Sequence, residues 1–579
     1  MWPELERVLA TGTVVAYGAT PGWAAWLAAQ LADRELVVVV VPDDAAARGL
    51  ESDVRFFRGG DRDAAELDDI ATLPGIDVSP YAELSPDRAC IVERVATLYR
   101  LTQPELRPKM IVTSAEALSR TTLPAGELAT RGLTIRKGDT IDRDQVGALL
   151  VSGGWTRTPV VDEPGTFALR GGVIDVYAPL APHPVRIELF GDEVESLRWF
   201  ESESQRTLRH VEVVHLHPVR ETIATGTRDV RGRLRDYADE IAYPSKATRR
   251  LIERLEHGDV FVGIEGLTPA FHDHMASPAS YIPDGARWLI VDPDQCRRTL
   301  RELRDDADTR FAERRGAGAL AFPPDTHHAA PDWLAAPHRI ELPTLELTRD
   351  DGATTLRLAV DDLHVLRQEL EHARTFGDTE HAGPLVTALG KWHGMRVAIA
   401  CDSQSRLDRL FGVLSARNIA VRVAAAGERP MASPGVTLVA GAPAHGFASP
   451  NDGVAIVTAA DIFGQRTHHA KSSRKRAKDA LLGGVADFSQ LAAGDYLVHQ
   501  RHGVGRYMGL KKIAVGGVSI LETTAIGVAP PKVQEIDALH LDYDGGTLYL
   551  PVYRLGEVQR YVGAEGHAPK LDKLGGVTW

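Results

Sequence analysis

The sequence predicts a multidomain α/β and α+β protein: a nucleotide-binding type of α/β domain with an inserted α+β module, a second α/β domain, and a small C-terminal β-barrel. Three observations lead there. Strand and helix patterns alternate from residue 13, around the glycine loop Gly18–Gly22. That alternation breaks off near residue 126 into short glycine-punctuated strands and resumes near 211. From Gly494 the pattern becomes all-β with tight glycine turns. A chain of 579 residues has room for these units, at roughly 100–200 residues per domain.

Thr13–Tyr17 reads as a β-branched strand, followed by the glycine loop, a Trp/Ala/Leu helix, the buried strand Leu36–Val41 and a helix from Asp43 to Phe57. This is the order of a nucleotide-binding βαβ unit. A working phosphate loop needs GxxxxGK[ST], in which glycine amides cradle phosphate, lysine reaches the terminal oxygens and a hydroxyl holds Mg²⁺. Here Gly18 and Gly22 are present, but Trp23, Ala24 and Ala25 stand where Gly, Lys and Ser/Thr belong. The loop is a degenerate P-loop, and the expectation is a nucleotide-binding fold that has lost its nucleotide. Residues 78–125 continue with the proline-rich VSPYAELSPDR, an amphipathic helix (Ala89–Leu101) and the strand Met110–Thr113.

Pro164–Phe200 reads as three strands: Thr166–Leu169 closed by Gly171-Gly172, Val173–Tyr177 closed by a Pro-rich loop, and Val185–Phe190 closed by Gly191-Asp192. In the third strand Val185, Ile187 and Leu189 point one way and Arg186, Glu188 and Phe190 the other, because side chains alternate. An arginine and an aromatic flanking a carboxylate on a wet face suit a protein-binding hot spot. They equally suit a covered sheet edge with Phe190 under a loop.

Beyond the module, VFVGIEGL and RWLIVDPD read as buried strands, and Gly316–Pro337 as a linker or irregular segment. The second α/β domain is expected at 340–465, with strands Arg396–Cys401, Ala420–Ala424, Val436–Ala440 and Val454–Thr458 and a helix Gln404–Arg417. The basic run His468–Ala480 is either a polyanion contact or a solvated linker helix. In the C-terminal part Asp544–Gly546 signals a hairpin, and the stretch between Ala514 and Ile536 an extended hairpin or loop.

Composition narrows the function classes. The chain is 44% hydrophobic and 25% charged, an ordinary soluble balance, and its net charge of −13 opposes wrapping nucleic acid along its whole length. Three scattered cysteines form no metal or disulfide pattern and suit a reducing cytosol. The N-terminus has no signal-peptide design, and the apolar run at Leu36–Val41 is too short for a bilayer, so a cytoplasmic protein without membrane contact is expected. Gly503-Val504-Gly505 joins two strands rather than opening a helix. Asp192–Glu195 mimics a helicase acidic box but reads as the turn after a strand. The pairs His272/His274, His327/His328 and His468/His469 lack helical ligand spacing and read as surface histidines. No catalytic residues, metal site or cofactor is expected.

Two stretches carry a family resemblance. PGTFALRGGVIDVYAP…VRIELFGDEVESLRWFESESQRTL resembles the domain shared by the excision-repair helicase UvrB and the bacterial transcription-repair coupling factors. GDYLVHQRHGVGRYMGL…LHLDYDGGTLYLPVYRLGEVQRY resembles the RNA-polymerase-interacting domain of those factors, related to CarD-type regulators and expected as an SH3/Tudor-like barrel. PYAELSPDR, GIEGLTP and TAADIFGQR add to the likeness. UvrB carries an intact P-loop and a long aromatic hairpin for damaged DNA, whereas this chain has the degenerate loop and a single Tyr81 there. That favours the coupling factors. The resemblance implies a UvrB-like domain at 1–125 and 211–335, a UvrA-binding module at 126–210, an α/β spacer at 340–465, a basic linker at 466–490, the polymerase-interacting domain at 491–565, and at 566–579 the start of a linker to a motor.

The family's UvrA contacts map onto Arg170, Arg186 and Phe190, and its contact to the RNA polymerase β subunit onto Leu510, Lys511, Lys512 and Ile513, through strand-edge pairing. For Ile513 a barrel-core role fits as well. The family's double-stranded-DNA translocase motor, with its ATP and Mg²⁺, would follow Trp579, so the chain is expected to be a motorless N-terminal fragment with weak DNA contact of its own. The function implied is a non-catalytic adaptor of transcription-coupled excision repair. The rivals are a CarD-like regulator with scaffold domains and a UvrB-like ATP-dependent repair component.

Overall fold

The computed structural model describes Arg7 and residues 12–59, 67–82, 84–223, 230–256, 261, 263–345, 353–375, 383–425, 427–464, 491, 493–499, 502–515, 534–560 and 571–574. The run at 468–480 and the excursion after Val515 lie outside these residues, as does most of 561–579. Within them the architecture is mixed α/β, in several sheets.

A seven-stranded parallel sheet organises the N-terminal part. Its order is Thr354–Arg357, Val14–Tyr17, Arg339–Leu342, Arg287–Val291, Val37–Val41, Met110–Ser114, Ile70–Leu73. Both faces are covered, which explains the uninterrupted valines of Val37–Val41, all buried. Strands from both sides of the inserted module join this sheet. Two of its strands, Arg339–Leu342 and Thr354–Arg357, fall largely in the stretch read above as the start of the second α/β domain. Gly316–Pro337 is likewise no simple linker: Trp333 is buried and its ring stacks 6.3 Å from that of Trp288.

Among the described residues of VFVGIEGL there is no strand. Ile264–Leu267 is a 3₁₀ turn running into the helix Thr268–Phe271. Gly263 sits at φ +83°, and a Cβ on Gly266 would meet the Pro80 carbonyl oxygen, so backbone contact rather than side-chain alternation shapes this stretch. Tyr81 is buried and donates to the Phe322 carbonyl at 2.9 Å. Two histidines read as surface residues are also buried. His272 lies 2.9 Å from the Glu221 carbonyl, with its pKa lowered to about 4 by burial. His327 packs edge-on to Tyr81.

The inserted module is a six-stranded sheet, in the order Thr207–His210, Glu193–Phe200, Val185–Phe190, Val173–Val176, Thr166–Arg170, Thr156–Arg157. A two-stranded ribbon, Leu133–Arg136 with Val213–Leu216, closes the same core. Only Gly191-Asp192 forms the turn after Phe190. Glu193–Glu195, read above as turn, begins the next strand because Val194 faces the core.

The second α/β unit orders Val421–Val423, Gly435–Ala440, Arg396–Cys401, Val454–Val457 and Phe447–Ser449, the last pair antiparallel. At the C-terminus a five-stranded antiparallel sheet runs Gly546–Pro551, Gln534–Tyr543, Gly503–Val515, Tyr496–His499, Val558–Arg560. Leu497, Tyr507, Leu539, Leu550 and Val558, one from each strand, share one core. Half-barrel curvature follows, with both edge strands turned onto the same interior. No helix among the described residues is long and apolar enough to cross a membrane.

Candidate partner-binding sites

On the inserted module, tight two-residue turns at Gly171-Gly172 and Gly191-Asp192 set the register. Gly171 and Gly191 adopt φ +54° and +63°, the left-handed region that favours glycine. Arg170 then pairs with Val173, Val173 with Glu188, and Asp175 with Arg186. Directly opposed residues share a face, so Arg170, Arg186 and Phe190 lie on one side, within about 14 Å of each other at ordinary strand spacings. The other side carries Val185 and Ile187 into a core with Phe167, Ile174 and Leu197.

The three residues differ in freedom. Phe190 is 80% exposed at the hairpin end. Arg170 is exposed and donates to the Pro159 carbonyl. Arg186 is held: its guanidinium makes two bonds to Asp175, at 2.7 and 2.9 Å, and lies 4.8 Å over the Phe200 ring. The Asp175 hydrogen bonds and charge raise the Arg186 pKa. Beside it Glu188 accepts from Arg198 and, at 2.8 Å, from Ser196. The face is therefore a fixed charge lattice with one uncovered aromatic at its rim. Sequence reading missed Asp175, Arg198 and Phe200, since strand alternation places residues on faces but does not pair strands across the loop Tyr177–Pro184.

In the C-terminal sheet Leu510 is 53% exposed, Lys511 and Lys512 are exposed, and Ile513 is half-buried. Lys511 Nζ lies 3.2 Å from the Tyr549 hydroxyl and 5.0 Å from its ring centroid. Gly503–Val515 pairs along Gln534–Tyr543, but its other side is covered only as far as Arg506, with Tyr507 bonded to Gly494 and Asp495. Among the described residues no strand pairs with that side beyond Tyr507. Among the described residues, then, the stretch Leu510–Ile513 lies along an unpaired strand side, the kind of edge to which another strand can add.

At the degenerate P-loop, Thr20 caps the helix Pro21–Leu31 by accepting from the Trp23 amide. Trp23, Ala24 and Ala25 are fully buried. The Trp23 indole donates to Asp452 at 2.9 Å, and Ser449 donates to the same carboxylate at 2.7 Å. A Cβ on Gly18 would lie 2.8 Å from the Leu358 carbonyl oxygen, and one on Gly22 2.8 Å from that of His445. The second α/β unit thus packs on the turn where a phosphate would sit. Nearby Asp53, fully buried, accepts from the Ala444 and His445 amides and from the His445 ring at 2.7 Å. Among the described residues no group of three or more His, Cys, Asp or Glu could hold a metal ion.

Comparison with known proteins falls on the same two modules. Residues 133–221 match the UvrB interaction domain, and residues 491–562 the CarD-like/TRCF RID domain. Among curated relatives, the transcription-repair-coupling factor of Myxococcus xanthus is 31% identical over 568 residues, covering 94% of this chain and 45% of the relative. That of Escherichia coli (strain K12) is 29% identical over 578 residues, covering 96% and 46%. The Bacillus subtilis (strain 168) factor is 25% identical over 527 residues, covering 86% and 41%. The chain spans less than half the length of these relatives. Over the matched residues it is similar to those two domain families, and over nearly all its length to part of the transcription-repair-coupling factors.

Proposed function

We propose that this chain is the adaptor portion of a transcription-repair coupling factor: the C-terminal sheet binds the RNA polymerase β subunit, the inserted module binds UvrA, and the α/β units hold the two together. The observation that carries this reading is the outer face of the inserted module. Phe190 stands 80% exposed on the same face as a pre-positioned Arg186, in residues that match a family model. An aromatic anchor sharing a face with a guanidinium whose rotamer is already fixed suits an acidic, partly apolar partner surface. The open edge at Leu510–Ile513 supports strand addition by the polymerase.

The reading makes the adaptor non-catalytic. The loop has no lysine or hydroxyl at positions 24 and 25, and the His445 carbonyl and the Phe447 ring crowd Gly22, which supports a site closed to ATP. Any translocation belongs to the part of the relatives this chain does not span. The test is a pull-down of purified UvrA and of RNA polymerase β by the chain and by Phe190→Ala. Loss of UvrA with polymerase retained supports the assignment, and unchanged UvrA binding removes it.

A further inference from the structure

The two modules with proposed partners are joined to one another and to the N-terminal unit at a polar seam. Arg554, in the 3₁₀ turn Val552–Glu557 of the C-terminal sheet, donates to Glu163 of the inserted module. Arg554 also donates to Glu557 at 2.8 Å, and Glu557 lies 3.3 Å from the buried ring of His499. A second pair, Arg254 to Asp537 at 3.2 Å, ties the helix Ser245–Glu256 to the strand Gln534–Tyr543. The Arg254 guanidinium is steadied 4.0 Å over the Phe261 ring. Between the units lies a cavity of about 590 Å³, lined by Arg55, Asp68, Arg88, Glu163, Arg554 and Glu557 among others.

Position gives the seam its meaning. Glu163 lies three residues before the strand Thr166–Arg170, which ends at the proposed UvrA contact Arg170. Asp537 is the direct cross-strand partner of Lys512, inside the proposed polymerase edge. Each ion pair therefore stands at the root of one docking site. The Glu163–Arg554 pair lines that cavity, and a contact that rests on charged pairs opens at low cost, as transient interdomain contacts do.

We propose that Glu163–Arg554 and Arg254–Asp537 form a latch that seats the C-terminal sheet on the body of the chain, and that RNA polymerase opens it on docking at Leu510–Ile513. The opening arm rests on the polymerase reading above; the latch itself does not. Both pairs are half-buried; an ion pair still open to solvent fixes a geometry only weakly and is screened by salt, so two in parallel give a reversible seat.

The experiment uses the full chain carrying Arg554→Lys, which keeps the charge and provides an amine. Carbodiimide should join that amine to the Glu163 carboxyl, read as a linked peptide by mass spectrometry. The product should vanish with Glu163→Gln. Its yield should fall in high salt, and by up to about fivefold with Asp537→Asn, the loss expected of one such pair. Arg254→Lys with Asp537 probes the second pair in the same way, should Arg554→Lys prove unstable by circular dichroism. Absence of both products in a folded chain overturns the latch. With RNA polymerase β added and its binding confirmed by co-elution, the yield should drop; an unchanged yield in the bound complex overturns opening. Failure of polymerase to co-elute removes the polymerase reading while the linked peptide still supports the seat.

Discussion

Phe190→Ala is the most discriminating perturbation of the proposed UvrA surface, because Phe190 contributes little to the fold. Its ring is 80% exposed, so truncation leaves stability within about 0.5 kcal/mol of the parent. A fully covered phenylalanine buries about 150–250 Å². Burying the exposed four-fifths on UvrA would remove about 160 Å² from water, or about 4 kcal/mol at 25 cal/mol/Å². Immobilising the side chain costs about 0.5–1.5 kcal/mol, and alanine keeps its Cβ. The expected loss is therefore about 2–3 kcal/mol, or 30- to 150-fold in affinity. Titration of UvrA by fluorescence anisotropy, with thermal melts alongside, reads both quantities. A loss below about threefold with an unchanged melt would show that the ring stays exposed in the complex, and the hot-spot argument would fall.

The remaining perturbations test other parts of the structure. Arg186→Ala leaves Asp175 buried without its cation and should destabilise the module by about 1–3 kcal/mol, so its UvrA loss must be read against a lowered Tm, whereas Arg186→Lys restores the charge but not the two-bond geometry. Leu510→Ala should weaken polymerase binding about tenfold through lost apolar contact with no change in melting; equal weakening by a distant exposed residue such as Phe411→Ala would refute the edge assignment. The His445 pKa is raised, first by its hydrogen bond to Asp53. The stability it lends the joint is therefore fully present below the unfolded value near 6.5 and is lost as pH rises through the higher folded value. Melting curves from pH 6 to 8, on the order of one unit either side of neutrality, should show this fall, and His445→Gln should flatten it.

How far the sequence revealed these sites follows from the range of the interactions that build them. Val185–Phe190 and its inward and outward faces were readable because a strand's period and its two glycine turns are local. The Arg186–Asp175 bond was not, since the proline-rich loop between their strands leaves the register open until the sheet forms. VFVGIEGL alternated well enough to pass for a strand, yet with Gly263 in the left-handed region and Gly266 pressed on Pro80 its part Ile264–Leu267 is a 3₁₀ turn. The histidines misled for a related reason. Polarity placed them outside, whereas His327 is enclosed against Tyr81 and kept neutral by burial.

The loop Gly18–Gly22 shows how protein contacts can close a turn of the kind that holds phosphate. A glycine loop before a helix leaves the helix's first amides without intrahelical partners, and in a nucleotide-binding protein phosphate takes them. Here Thr20 caps the turn, and the indole that displaced the second glycine reaches Asp452, 429 positions away. In this chain the turn is a joint between two α/β units. Restoring the motif with Trp23→Gly, Ala24→Lys and Ala25→Thr should therefore not restore ATP binding. The segment His445–Phe447 still packs against Gly22, the lysine would enter a fully buried site, and losing the indole alone should cost about 3–5 kcal/mol. The expected result is a chain with a lowered Tm and no thermal shift on adding ATP and Mg²⁺. A nucleotide-dependent rise in Tm would show that the second unit yields to phosphate, and that the joint is no substitute for the ligand.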